Sequence, residues 1–171
     1  TKLLQNISVE LVKEDCVEGL YEKIIEAALG IMRADFASMQ MFYDDRGERG
    51  NLRLLAYRGF NEQAAKFWEW VHVDSDSTCG MALRTRQRVI VPDIEICAFM
   101  AGTEDLATYF QTGIRAVQTT PLVSRNGALV GMVSTHWREP HAPDDRDLRL
   151  LDLLARQAAD LMERARATAD L

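Results

Sequence analysis

Val17, Leu20, Tyr21, Ile24, Ala28 and Ile31 recur at the three- and four-residue intervals of one helical face, which predicts a helix from about Asp15 to Arg33. Asp15 and Glu18 stand before it at the spacing of a capping box. Upstream, Leu4, Ile7 and Leu11 share that periodicity, so residues 1–14 read as an amphipathic lead-in and residues 15–171 as one domain that includes the last helix. The period then changes. FASMQMFY (36–43) and LRLLAYRGF (52–60) are rich in aromatic and apolar residues without helical spacing, and they flank the Gly47/Gly50 turn, which predicts a hairpin of two strands.

Mid-chain, Asn61 is placed to cap a short helix carrying Ala64, Phe67, Trp68 and Val71, and Ser77 or Thr78 to cap another running to about Thr85. VIVPD is a short strand ended by Pro92, and residues 93–102 read as irregular. Thr103 as cap, Glu104 and Asp105 in the first turn and Gly113 as stop bracket a further helix. Ile114 to Val123 and Ala128 to Trp137 are long β-prone runs joined by Asn126-Gly127, a strong hairpin signal. The run DDRDLRLLDLLARQAADLMERARA places acidic residues first and basic residues last, as a helix dipole favours. Antiparallel hairpins with helices stacked on them define an α+β domain.

The chain has 171 residues, 47% hydrophobic and 27% charged, enough to bury a core without disulfides or metals. Its net charge of -6 repels phosphate backbones and argues against nucleic acid as a partner. No apolar run spans a bilayer and no signal-peptide pattern opens the chain, so the segment is expected to be cytoplasmic, without a membrane partner. Beginning at Thr1 and ending inside a helical pattern, it reads as part of a longer polypeptide. Cys16, Cys79 and Cys97 are odd in number and widely spaced, which predicts reduced thiols.

The element order, together with LYEKIIEAALGIMRADFASMQMF, STCGMALRTRQRVIVPDI, GIRAVQTTPLVSRNGALVGMVSTHW and DLRLLDLLARQAADLMER, resembles the GAF domain, a ligand-sensing module of signalling proteins. The likeness is strongest to GAF domains joined to PAS-type sensors and histidine kinases in bacteria. It implies a profilin-like central antiparallel sheet, terminal helices on one face, and short helices over a pocket on the other. It further implies a non-catalytic sensor in a two-component system, an unidentified small-molecule ligand, and an output domain, a histidine kinase, in the same polypeptide.

Several residues carry competing readings. Cys79 at a helix start is placed to be a reactive thiolate or to be a small residue packed beside Gly80. Free methionine sulfoxide reductase, an enzyme with this fold, has a CG turn at the same joint, but here the following loop offers Cys97 alone. His136 resembles the strand-end histidine of phytochrome GAF domains, yet the Cys-His pair and the Asp-Ile-Pro-type segment that go with it are missing, so no covalent bilin or haem is expected. No metal is expected either: Asp74 and Asp76 lack the remaining ligands of a calcium loop. The Asn-Lys-Phe-Asp-Glu set of cyclic-nucleotide GAF domains is absent as well.

Trp68, Phe99, Tyr109 and Phe110 are expected around a pocket, with Cys79, Val117, Thr119, Ser134 and His136 contributed by the helix start and the sheet. Residues 93–113, with two glycines and several large apolar side chains, suit a lid. Leu151, Leu154, Ala158, Leu161 and Ala165 alternate spacings of three and four, the seam of a coiled coil, and predict a homodimer helix. A structural dimerisation domain with a self-filled pocket is the remaining alternative.

Overall fold

The structure, a computed structural model, describes residues 17–45 and 50–169. The expected lead-in and the Asp15 capping box lie outside the described residues. Helix α1 (Val17–Met32) leads into β1 (Phe36–Tyr43) and β2 (Asn51–Arg58). Then come α2 (Glu62–Phe67), β3 (Trp70–His72), α3 (Thr78–Thr85), β4 (Val89–Val91) and α4 (Glu104–Thr112). Strands β5 (Ala116–Val123) and β6 (Leu129–Trp137) and helix α5 (Asp145–Ala169) follow. The strands form one antiparallel sheet in the order β3-β2-β1-β6-β5-β4, so the two hairpins meet where β1 pairs with β6, Met39 opposite Val133.

The helix signals act where the sequence places them. Asn61 accepts from the Ala64 N–H at 2.8 Å, Ser77 from Gly80 at 3.1 Å and Thr103 from Leu106 at 3.2 Å, each satisfying an amide that its helix leaves open. Gly113 ends α4 at φ 89, a left-handed conformation that glycine adopts without steric penalty. Two expectations change. Trp70–His72 is a strand, not the end of a helix: α2 closes at Trp68, and Val71 is buried by pairing opposite Leu52 at the sheet edge. Residues expected to be irregular form 3-10 turns at Ile94–Ile96 and Ala98–Met100, the first capped by Asp93.

The period-two alternation of the strands divides the interior into two cores. From β1, Ala37, Met39 and Met41 face α1 and α5, while Phe36 and Phe42 face the short helices. Leu151, Leu154 and Ala158 are fully buried in the first core, with Ala155 and Met162 beside them, and Leu161 and Ala165 are part-buried. Burial places Leu151, Leu154 and Ala158 in the protomer's own core. A helix lodged against both α1 and β5 needs a wide apolar face, and three-four spacing supplies it as readily for a protomer core as for a coiled coil.

The terminal helices and β6 meet at one joint. Arg33, left-handed at φ 51, places Nη2 2.7 Å from Asp147 and 3.3 Å from Asp144 at the start of α5. The Trp137 indole N–H donates to the carbonyls of Met32 and Arg33 at 3.3 and 3.2 Å.

Candidate functional site

The first turn of α3 rests on the sheet through hydroxyls and a thiol. Thr78 Oγ1 lies 2.8 Å from Thr119 Oγ1, which lies 2.7 Å from Ser134 Oγ. Cys79 Sγ is 3.3 Å from Ser134 Oγ and accepts from Gln40 Nε2 at 3.2 Å. The turn can sit this close to its preceding loop because residue 80 is glycine, where a Cβ would come within 2.3 Å of the Ser75 carbonyl oxygen. Burial pushes the Cys79 thiol up, and its hydrogen bonds to Ser134, Thr119 and Gln40 only partly oppose this. The helix-start thiolate is therefore disfavoured, and Cys79 is a packed thiol.

Above this layer is a cavity of about 10 Å³, room for about one water. Its polar wall is Ser38, Gln40, Ser77 and His136, and its apolar wall is Phe60, Trp68, Val71 and the Tyr109 ring. Ring centroids of Trp68 and Tyr109 are 4.7 Å apart, and those of Phe60 and His136 5.2 Å. Trp68 is held by its indole N–H, which donates to Asp105 Oδ1 at 3.0 Å. Burial raises the Asp105 carboxyl pKa, the Trp68 bond partly opposing, while the Asp76 charge adds to the rise.

Burial depresses the His136 pKa to about 3, against an opposing backbone hydrogen bond with Phe36, so the imidazole is neutral. The Tyr109 phenol is likewise raised by burial and stays protonated. Two polar atoms of the wall have no hydrogen-bond partner: His136 Nδ1 and Gln40 Oε1. An unpartnered buried polar atom costs about 1–3 kcal/mol, so both atoms are unfavourable where they stand.

Of the expected pocket residues, Trp68, Cys79, Tyr109 and His136 line the cavity. Thr119 and Ser134 lie in the hydroxyl layer beneath it, Val117 in the apolar core nearby, and Phe99 is part-buried against that core. Phe110 does not line it: at 42% exposure it lies at the surface of α4. Ser38, Gln40, Phe60 and Ser77 complete the wall and are absent from the expected set. The sequence does carry a signal for two of them, polar residues at alternate positions of the otherwise apolar FASMQMFY. An open polar groove of about 350 Å³ at Asp35 and residues 137–141 contains none of the expected residues. Among the described residues no group of three or more His, Cys, Asp and Glu side chains is arranged to hold a metal, and no helix is long and apolar enough to cross a membrane.

A sheet with terminal helices on one face and a roofed cavity on the other defines a class of domain, and comparison with known proteins identifies it. The GAF domain family model matches residues 16–163, and the chain belongs to that family. A domain of a protein assigned as a two-component sensor histidine kinase of Sinorhizobium meliloti 1021 superposes with a TM-score of 0.73 at 24% identity, over 92% of this chain and 98% of that one. The GAF domain of a phosphoenolpyruvate-protein phosphotransferase from Coxiella burnetii gives 0.78 at 18%, over 99% and 96%. Residues 122 to 287 of a methyl-accepting chemotaxis protein give 0.72 at 15%, over 96% and 99%. At these identities the likeness concerns the fold. Comparison with curated proteins gives no match.

Proposed function

We propose that the chain is a non-catalytic small-molecule sensing module of a bacterial signal-transduction protein, acting in the cytoplasm and controlling a histidine kinase in the same polypeptide through its terminal helices. The observation that carries this reading is the adjacency of His136 and Trp137 on β6. His136 walls the cavity, while Trp137, on the opposite face, donates to the end of α1 beside the Arg33–Asp147 ion pair. A shift of β6 at the cavity is thereby delivered to the joint between the first and last helices, with β1 carried along by its pairing to β6. Structural likeness to domains of a sensor kinase and a chemotaxis protein supports a signalling role. The buried, neutral Cys79 thiol supports the non-catalytic part of the reading over a sulfoxide reductase. In a homodimer, contacts outside Leu151, Leu154 and Ala158 would join the protomers, since those side chains are buried within each one.

A second reading is favoured by one observation, the cavity volume of about 10 Å³: a structural domain whose pocket is filled by its own Phe60, Trp68 and Tyr109. Mass spectrometry of the protein purified without denaturation from its native host, combined with hydrogen exchange, separates the two. The sensing reading expects a retained small molecule and slower exchange over residues 93–113 with it than without it. Exchange in those residues as slow as in β1 and β6, with no retained molecule, favours the structural domain.

A further inference from the structure

Two buried polar layers lie back to back on β5 and β6. On the face toward the short helices, Thr119 Oγ1 joins Thr78 Oγ1 and Ser134 Oγ at 2.8 and 2.7 Å, and the start of α3 rests there. The next residue of each strand faces α1 and α5, as Ala116 and Leu122 of β5 do. On that face Thr120 Oγ1 donates to Gln118 Oε1 at 2.6 Å, and Gln118 Nε2 donates to Thr135 Oγ1 at 3.1 Å. Arg88 joins this second layer to α5: its Nε donates to Thr120 Oγ1 at 2.9 Å while its Nη2 pairs with Asp152 Oδ1.

Only Arg86 and Gln87 separate Arg88 from Thr85 at the end of α3, and both are tied back to the helix. The Arg86 N–H donates to the Ala82 carbonyl at 2.7 Å and the Gln87 N–H to Thr85 Oγ1 at 3.3 Å. When α3 lifts from the first layer it turns about this link, whose far end is held by β4 through the pairing of Val89 with Thr119 and by the Arg88 guanidinium. An isolated surface ion pair must immobilise two long side chains and contributes little. Arg88 differs, because its side chain is 22% exposed and the bond to buried Thr120 already fixes the guanidinium toward Asp152. We propose that Arg88 is a positioning residue that couples the seating of α3 over the cavity to the placement of α5, by a route around the β4 edge of the sheet that is separate from the route through β6. Its regulatory use rests on the sensing reading above, whereas the coupling itself needs no ligand.

Cys79 is reached only when α3 lifts, so its alkylation by dilute iodoacetamide, slow against reclosing, reads the opening equilibrium of α3. Arg88→Met and Asp152→Asn are each expected to speed Cys79 labelling roughly three- to tenfold, and the double variant to be no faster than the faster single, because both remove one link. Asp160→Asn, which removes an α5 carboxylate bonded to Arg125 in the β5–β6 turn, is expected to leave the rate unchanged. Coupling is reciprocal, so Thr78→Val, which loosens the start of α3, is expected to raise hydrogen exchange at amides 149–156 in the unsubstituted chain and to add nothing in Asp152→Asn. Should Arg88→Met fail to fold by circular dichroism, the Asp152→Asn arms, at a side chain 59% exposed, carry the test alone. Cys79 labelling indifferent to Arg88→Met and Asp152→Asn, additive effects in the double variant, or an equal rise with Asp160→Asn overturns the coupling. So does a response of α5 to Thr78→Val that is missing in the unsubstituted chain or that survives Asp152→Asn. In each of these cases the route through β6 and the sensing reading stand, and mass spectrometry of native protein decides the latter separately.

Discussion

The Trp68 indole N–H reaches Asp105 Oδ1 at 3.0 Å, so the end of α2 and the first turn of α4 are fastened together over the cavity. The carboxylate holding this fastening is itself penalised by burial, with the Asp76 and Glu104 charges adding to the penalty. A carboxyl whose folded pKa is raised binds its proton more tightly folded than unfolded, so its contribution favours folding at low pH and is lost as pH rises through the raised value. Asp105→Asn is therefore expected to gain stability relative to the unsubstituted chain as pH rises from the ordinary carboxyl value of 3.8 toward neutrality. Urea midpoints of both proteins over that range measure the gap, and a gap independent of pH contradicts the assignment.

His136 carries the opposite dependence. Its pKa falls from 6.5 unfolded to about 3 folded, so the unfolded chain binds the extra proton between those values. Stability is full above 6.5 and falls on acidification by on the order of 1.4 kcal/mol per pH unit until the folded value is reached. His136→Gln is expected to remove that slope whatever it costs at neutral pH. Denaturation of the pair from neutral pH to about pH 4, within the linkage window, checks it, and equal slopes in the two proteins count against a buried neutral imidazole.

These two residues also mark what was legible in the sequence. The architecture was, because caps such as Asn61 and Thr103 and the Asn126-Gly127 turn act locally and need no knowledge of the partner element. The site was legible only in part. Trp68, Tyr109 and His136 announce themselves by type, but Gln40 becomes a wall residue only when β1 and β6 pair and one face of β1 turns toward α3. Helical spacing misled at Val71, where the edge of β2 claimed the segment for β3. On α5 the same spacing predicts a homodimer seam, yet Leu154 and Ala158 have that spacing whether their partner is α1 or another copy.

For α5 burial within the protomer sets the expectation. Leu154 is fully buried in the core shared with α1, so Leu154→Ala is expected to destabilise the protomer by roughly 2–5 kcal/mol. Its sedimentation behaviour should match that of the unsubstituted chain under conditions where both remain folded. A change in association state with little loss of stability places Leu154 at an interface between copies instead.

Cys79 offers the sharpest contrast with a redox enzyme. The thiol is buried, its pKa is raised by that burial, and Gln40 Nε2 and Ser134 Oγ lie within 3.3 Å of the sulfur. Only the thiolate attacks an alkylating agent, and here both ionisation and access require α3 to lift from the sheet. Cys97, half-buried between the two 3-10 turns, has no such layer over it. Iodoacetamide labelling resolved by site with mass spectrometry is expected to modify Cys79 at least roughly tenfold more slowly than Cys97 in the folded protein, and both at similar rates in denaturant. Fast labelling of Cys79 in the folded chain, accompanied by a sulfenic acid after peroxide treatment, reinstates the catalytic alternative, because it requires a thiolate that the buried site disfavours.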